Sequence, residues 1–464
     1  MSLKKRIEMN KLPIQERIKT FNEVALGFTE EQAIEEAKRC LQCPNSPCIN
    51  GCPINVNIPA FIKKIVERDF LEAYKIIRER NTLPAITGRV CPQELQCEFK
   101  CTLQKIKEPI AIGALERFVA DWAIKENVVK EFISKAPSND VKVAVVGSGP
   151  AGITVAIDLA KLGYEITIFE ALHKPGGLLV YGIPEFKLPK KIVEYEINCL
   201  RDLGVKIETN VFIGRTYTIK DLFQNGFKAV FLGIGAGMPR FLNIPGENLG
   251  NVYTANEFLM RVHFMKAYLF PKYDTPIKIG RKVAVIGGGN TAMDASRTAI
   301  RLGAEEVHIV YRRSEEEMPA RRIEIMNAKE EGVKFQFLTQ PIKFVGDKEG
   351  KLIGLECLKM QLGEPDASGR RRPIPIKGSE FIFEVDTAII AIGSYPNPLI
   401  VKTTPEIKMN EEGCIIVDEN CRTTMKRVYA AGDAVLGEAT VVQAIKTGKI
   451  AVKTIHQDIK SGII

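Results

Sequence analysis

The sequence of 464 residues has no apolar run approaching the ~18 residues that a membrane span needs. Its opening stretch, MSLKKRIEMNKLPIQER, is polar and lacks the apolar core of a secretory signal, so the expected address is the cytoplasm. Histidine is scarce: there are four, at 173, 263, 308 and 456, and none lies in a motif, which leaves little room for imidazole chemistry. Clustered positive charge is also lacking. Lys+Arg exceed Asp+Glu by 65 to 56, a net +9, but the basic residues are scattered apart from RRR at 370–372. Few aromatics lie between them, so no nucleic-acid binding is expected. The remaining composition is globular, with 45% hydrophobic and 26% charged residues and a mean hydropathy of −0.03. At roughly 150 residues per domain this length makes about three domains.

Two concentrations stand against these shortages. Six of the 37 glycines fall in two tight clusters, at 147–152 and 287–289, and seven of the 11 cysteines lie between 40 and 101. In a long cytosolic chain, clustered cysteines point to metal rather than to disulfides. Residues 1–140 read as one cysteine-rich helical unit. Phe61, Ile62, Ile65, Val66, Phe70, Tyr74 and Ile77 recur at helical spacing, with Asp69 marking a break between two short helices. KAPSND (135–140) reads as a linker.

At 141 the pattern changes. VKVAVVGSGPAGITVAIDLAKLGYEITIFEA (141–171) reads as buried strand, Gly-rich turn, helix and strand, and the unit recurs as KVAVIGGGNTAMDASRTAIRLGAEEVHIVYRR (282–313). KAVFLGIGA (228–236), DTAIIAIGS (386–394) and RVYAAGDA (427–434) read as further buried strands ending in glycine. Such alternation predicts an α/β fold, with parallel sheets covered by helices on both faces.

The first cradle is GSGPAG (147–152), a GxGxxG that follows an apolar strand and opens a helix inside a βαβ unit. Gly147 permits the tight turn, Gly149 lets the backbone approach a pyrophosphate, and Gly152 allows helix and strand to pack closely. Pro150 and Ala151 start the helix, whose unpaired N–H groups face the anion. Glu170 ends the second strand, where a carboxylate can bond both ribose hydroxyls. The second cradle is Gly287, Gly288, Gly289, Asn290, Thr291 and Ala292, and its second strand ends in Arg312 and Arg313. A carboxylate there would repel a 2′-phosphate, whereas guanidinium forks pair with it. The second site is therefore expected to prefer NADP(H), and the first to hold a dinucleotide with a free ribose, FAD or NAD. Two such domains suggest a flavin and a nicotinamide facing each other, where hydride transfer needs placement more than acid–base help.

The cysteines are spaced C-x2-C-x4-C-x3-C-P over 40–52 and C-P-x4-C-x3-C over 91–101. Such spacing suits iron–sulfur ligation. Four plus three cysteines are one short of two cubanes, so another residue must supply the eighth ligand or one site is incomplete. Structural zinc is the competing reading, but four-cysteine zinc sites usually come as paired CxxC knuckles and only one CxxC occurs here. Cys199, Cys357, Cys414 and Cys421 read as small core residues.

These motifs, together with KPGGLLVYGIPEFKLPK (174–190), YRRSEEEMPAR (311–321) and AAGDAVLGEATVVQAI (430–445), resemble one flavoprotein family. It comprises the small subunit of NADPH-linked glutamate synthase, the large subunit of NADH-dependent ferredoxin:NADP oxidoreductase, sulfide dehydrogenase and the N-terminal half of dihydropyrimidine dehydrogenase. The resemblance implies a helical iron–sulfur domain followed by two Rossmann-like domains: FAD over 141–255 and 393–464, with NADPH inserted over 256–392. It implies FAD contacts from Gly177, Leu178, Lys187, Gly432 and Asp433, and a helix N-terminus at Thr440–Val441 facing the flavin. Ala391, Ile392, Gly393 and Arg321 are implied as NADPH contacts.

The resemblance also implies two [4Fe-4S] clusters with a swapped cysteine. Cys40, Cys43, Cys48 and Cys101 would hold one, and Cys52, Cys91 and Cys97 the other, with Glu116 standing where dihydropyrimidine dehydrogenase uses a glutamine. Glu116 also reads as an ordinary helix-surface acid. Electrons would pass to a second redox subunit, either a flavin/[2Fe–2S] small subunit linked to ferredoxin or a glutamate synthase large subunit. YGIPEFKLPK and TANEFLMRVHFMKAY (254–268) favour the ferredoxin:NADP oxidoreductase and sulfide dehydrogenase branch, in which the resemblance implies a flavin that splits electron pairs. A self-contained flavin enzyme of the disulfide-reductase type would need a redox CxxC near the flavin, and Cys40/Cys43 precede the first cradle in a metal-like run. A zinc-bearing interaction module on a dead scaffold is opposed by intact glycines at both cradles.

Overall fold

A computed structural model describes residues 5–128 and 136–464; Lys135 of the expected linker lies outside them. The N-terminal part is a bundle of short helices. Ile58–Val66 and Phe70–Arg78 carry the apolar periodicity inward, burying Phe61, Ile62, Ile65, Tyr74 and Ile77. Asp69 separates them as the N-cap of the second, its carboxylate accepting from Glu72 N at 3.1 Å. Ile112–Lys125 closes the bundle.

Two five-stranded parallel sheets follow. In the first, Val428–Ala430, Phe227–Leu232, Lys142–Val146, Glu165–Glu170 and Lys206–Thr209 lie side by side. The second runs Lys334–Gln336, Glu306–Val310, Lys282–Ile286, Thr387–Ile390 and Val252–Thr254. The first sheet thus takes an edge strand from the far end of the chain, and the second is inserted between its parts. The expected changeover at 255/256 comes late, because Val252–Thr254 already pairs with 388–390. The short antiparallel pair Met238–Pro239 and Ser394–Tyr395 joins the two domains where the chain crosses between them.

An antiparallel sheet, Thr339–Gly346, Leu352–Pro365, Arg371–Pro375 and Phe381–Phe383, extends the inserted domain; the strand–helix alternation did not announce it. The helical bundle and the first parallel domain share one continuous apolar core, running from Phe28 and Phe61 through Ile153 and Leu200 to Ile455. Thr82 and Thr154 hydrogen-bond across that junction at 2.9 Å. The second parallel sheet has its own core around Phe258, Val285 and Ile309. Cys199, Cys357, Cys414 and Cys421 are buried.

Candidate functional site

Both cradles are built alike. Gly147, with φ 95°, donates its N–H to Phe169 O at 2.8 Å, and Gly287 donates to Val310 O at 3.0 Å. A Cβ on Gly147 would lie 2.4 Å from Gly233 O, and one on Gly287 would lie 2.1 Å from Ala391 O. Of the expected 391–393 stretch, Ala391 therefore lies directly against the second turn, whereas a Cβ on Gly393 would meet the Glu438 carboxylate at 3.2 Å. Helices Pro150–Lys161 and Asn290–Arg301 start at Gly149 and Gly289 with no side chain capping them. Nothing stands within 4 Å of a Cβ built on either glycine. Open space and free helical N–H groups meet at one point, which fits a pyrophosphate.

The surrounding side chains differ. Glu170 is buried and pinned: Ser148 N donates to Oε2 at 3.0 Å, the Ser148 hydroxyl also donates to Oε2, and Leu172 N donates to Oε1 at 2.9 Å. Because Phe169 and Val310 answer to the two turns, Tyr311 rather than an arginine stands opposite Glu170, a correction set by strand register. Arg312 follows, exposed and, among the described residues, without a hydrogen bond or ion pair; desolvation and the neighbouring Arg313 and Arg370 guanidiniums hold it below the ordinary arginine range.

Arg313 departs from expectation. It is buried and committed to Arg371 O and Asp366 Oδ2, both at 2.7 Å, pinning the antiparallel sheet. Arg321 departs too. Its N–H reaches Asn290 Oδ1 at 2.9 Å beside the cradle, but its guanidinium turns to Gln93 Oε1 at 2.8 Å and Glu94 at 3.2 Å in the helical domain. Lys187 is held in a buried ion pair with Asp294 at 3.1 Å, and Glu324 lies 3.5 Å away.

Around the first cradle, a Cβ on Gly177 would meet Gly149 Cα at 3.0 Å, and Leu178 stands exposed beside it. A Cβ on Gly432 would lie 3.0 Å from that of Ala151, and one on Gly448 would lie 3.2 Å from Ala151 O. Asp433 starts a short helix; burial and the nearby Glu438 push its carboxyl up to about 7. Thr440 caps the helix Val441–Lys460 in a reciprocal box with Gln443, presenting a free N-terminus at this end.

The seven clustered cysteines line two adjoining cavities. Cys40, Cys43, Cys48 and Cys101 line one of about 370 Å³, its mouth included, with apolar walls from Ile58, Ile62, Ile110 and Ile112. Cys52, Cys91, Cys97 and Glu116 line another of about 320 Å³, with Asn81, Thr87, Gln93 and Val442. Asn81 donates to Glu116 Oε1 at 3.1 Å, and the Thr87 hydroxyl donates to the same oxygen. Burial pushes the Glu116 carboxyl up to about 7. Burial, with Cys40 and Cys101 nearby, pushes the Cys48 thiol up to about 12, and Cys91 and Cys97 are raised by burial as well. Such thiols ionise only against a strong local cation, and all seven are free of disulfides. Among the described residues no three Cys, His, Asp or Glu side chains close tightly enough to hold a single ion. Donors spaced around cavities of this size fit polynuclear clusters better than mononuclear zinc.

Several relevant residues carried only weak signals in the sequence. Ser148 is visible as the polar second residue of the first turn, and Arg370 as part of the basic triplet. Ile112 and Val442, which border the cavities, look like any apolar helix residue.

Comparison with known proteins follows the same division. Residues 17–128 match the family described as dihydropyrimidine dehydrogenase domain II, 4Fe-4S cluster, and residues 141–448 match pyridine nucleotide-disulphide oxidoreductase. The small chain of NADPH glutamate synthase from Halomonas elongata is 37% identical over 451 residues, covering 96% of this chain and 95% of that one. Subunit beta of the NADP(+)-dependent formate dehydrogenase of Moorella thermoacetica is 38% identical over 438 residues; these are 90% of this chain but 60% of that subunit. Among solved structures, Mycobacterium tuberculosis FprA in complex with NADPH aligns with a TM-score of 0.58 at 21% identity, over 70% of this chain and 86% of that one.

Proposed function

Because the chain belongs to the pyridine nucleotide-disulphide oxidoreductase family, in the group that includes glutamate synthase small chains, we propose that it is an NADPH-linked flavin and iron–sulfur subunit working with a redox partner in the cytoplasm. It exchanges a hydride between NADP(H) and FAD, and single electrons through two [4Fe-4S] clusters. One observation carries this reading: the candidate sites are contiguous. Ile112 borders both cysteine cavities, and Val442, in the first turn of the C-terminal helix, borders the inner one. That same helix packs across the first cradle.

In this reading Gly147, Gly149 and Gly152 admit the FAD pyrophosphate, and Glu170 takes its ribose. Gly287 to Ala292 hold NADP(H), with Arg312 on the 2′-phosphate. Cys40, Cys43, Cys48 and Cys101 ligate the outer cluster. Cys52, Cys91, Cys97 and Glu116 ligate the inner one, where Asn81 and Thr87 aim the carboxylate by engaging only Oε1. When bound, FAD converts between two-electron exchange with the nicotinamide and one-electron exchange with the clusters. The protein's own work is placement and exclusion of water. Two of the histidines are held by hydroxyl groups: His263 is buried against Thr298 at 2.8 Å, and His456 bonds Tyr164 at 2.8 Å.

For the partner we favour a glutamate synthase-type large subunit, because a small chain of that enzyme matches end to end. The stretches that favoured the ferredoxin:NADP oxidoreductase branch touch each other: the Phe264 and Tyr181 rings are 4.4 Å apart, and Glu185 N donates to His263 Nδ1 at 3.4 Å. They form one packed unit and count as one signal. Anaerobic titration with NADPH, followed by EPR, tests the assignment. Two reduced-cluster signals, or one together with flavin bleaching, are expected. Flavin reduction without an iron signal, even after dithionite, would overturn it.

A further inference from the structure

We propose that the rim of the outer cysteine cavity is the docking face for the redox partner, and that the partner presents carboxylates around its own redox centre. This rests on the reading that electrons cross the two cavities. Of the inner cavity's cysteines Cys91 and Cys97 are buried and Cys52 is partly exposed, whereas all four of the outer cavity, Cys40, Cys43, Cys48 and Cys101, are partly exposed. The outer cavity is therefore where an external carrier can come close.

Two loops, 38–48 and 99–107, form its mouth, and they carry an unusual combination of side chains. Leu41, on the cavity wall, is 48% exposed, Phe99 is 56% exposed and Ile106 is 64% exposed. The N–H of Ile106 donates to O of the wall residue Leu103 at 3.0 Å, which ties the exposed residue to the cavity wall through the backbone. Three large apolar side chains left in water around one opening do nothing for this chain's own core, and such a patch marks an interaction site.

Every charged side chain within the two loops is basic. Lys38, Lys100 and Lys105 are exposed, and among the described residues none has a carboxylate partner. Lys100 instead sets its ammonium 5.7 Å from the centre of the Phe99 ring. The acids of the same stretch are engaged elsewhere: Glu98 with Arg6 at 2.9 Å, Glu94 with Arg321 at 3.2 Å, and Glu108 with the Arg6 N–H at 3.2 Å. A positive rim around an apolar centre complements a negative face and steers it in. A second copy of this chain would bring like charges together, which argues against self-association here.

The test uses the cofactor-loaded full chain, NADPH as donor, and two protein carriers of opposite charge: an acidic plant-type [2Fe–2S] ferredoxin and basic cytochrome c. The rate with ferredoxin is expected to fall steeply as salt is added, and the rate with cytochrome c to rise. The triple variant Lys38→Glu/Lys100→Glu/Lys105→Glu is expected to lose about tenfold or more of the ferredoxin rate at low salt. It should gain with cytochrome c and bleach its flavin with NADPH as the parent does. Phe99→Ser/Ile106→Ser is expected to slow both carriers and leave the salt slope unchanged. Salt dependences of the same sign with both carriers, unchanged between parent and triple variant, would overturn the docking face. So would failure to reduce either carrier while both clusters are reduced by NADPH, or a dimer that the triple change dissolves. Clusters that NADPH cannot reduce at all would instead overturn the electron path on which the proposal rests.

Discussion

The two Gly-rich turns of this molecule have the same backbone and opposite manners. In each, a strand ends at a glycine whose missing side chain leaves room for a carbonyl of the neighbouring strand, and a helix starts uncapped at the third residue. The differences lie in three matched places. At the second residue, Ser148 in one turn bonds the strand-end carboxylate Glu170. Gly288 in the other leaves space for the ring of Tyr311, which a Cβ there would strike at 2.6 Å. At the strand end an acid faces a phenol followed by the free Arg312. At the sixth residue Gly152 faces Ala292. On the proposed assignment, phosphate binding belongs to the backbone and is common to both sites, while the choice of nucleotide is made by residues that change together.

The sharpest way to break the symmetry is Gly152→Ala. The new methyl would sit 2.0 Å from Gly147 O, so helix and turn must part. We expect a loss of roughly 1–3 kcal/mol of stability or more. The protein should purify with little flavin, read from its visible spectrum and thermal unfolding; full flavin content would mean that the turn is not the flavin's cradle.

Next in size is Arg312→Glu. A charge-assisted pair to phosphate contributes about 1.5–3 kcal/mol. The KM for NADPH should therefore rise by about ten- to a hundredfold at 1.4 kcal/mol per tenfold, while that for NADH barely moves. Equal losses with both would remove the 2′-phosphate assignment. Arg313→Gln separates the neighbours. Its guanidinium holds Asp366 and Arg371 O, so the variant should unfold earlier, by about 1–3 kcal/mol, and keep its preference for NADPH.

Much of this was legible in the sequence. The two turns were readable because their chemistry is local: glycine spacing, a strand before and a helix after, within a few residues of one another. Asp69 was readable as a break between helices for the same reason, whereas the helix start at Thr440 came from the family resemblance. The division of the cysteines was only half legible. Spacing pointed to clusters, but the joining of Cys101 to Cys40, Cys43 and Cys48 came from family resemblance, since nothing in the spacing says which distant loops meet. Long side chains were the least legible. Arg321 spends its guanidinium on Glu94, 227 residues away in sequence, and Lys187 meets Asp294, 107 residues away. Register also hid from view: that Tyr311 holds the position corresponding to Glu170 is decided by which carbonyl accepts from the first glycine of each turn. The antiparallel sheet escaped notice although its Asp-x-x-Gly turns are in plain sight, Gly350 N bonding Asp347 O at 3.2 Å and Gly369 N bonding Asp366 O at 2.8 Å.

The smallest effect sharpens the comparison most. If the sixth position of each turn serves only helix-to-strand packing, the reverse exchange, Ala292→Gly, should be mild. Ala292 is fully buried in the first turn of its helix, and the second turn already tolerates a methyl where the first cannot. Removing it costs helix propensity of about 1 kcal/mol. No donor to the phosphate is touched, because the cradle binds through backbone N–H groups that glycine also carries. The expected variant melts slightly earlier, with an unchanged KM for NADPH and an unchanged preference over NADH. A large rise in KM alone would mean that the methyl itself shapes the nucleotide pocket. The two turns would then differ in kind at this position and not only in how closely helix and strand approach.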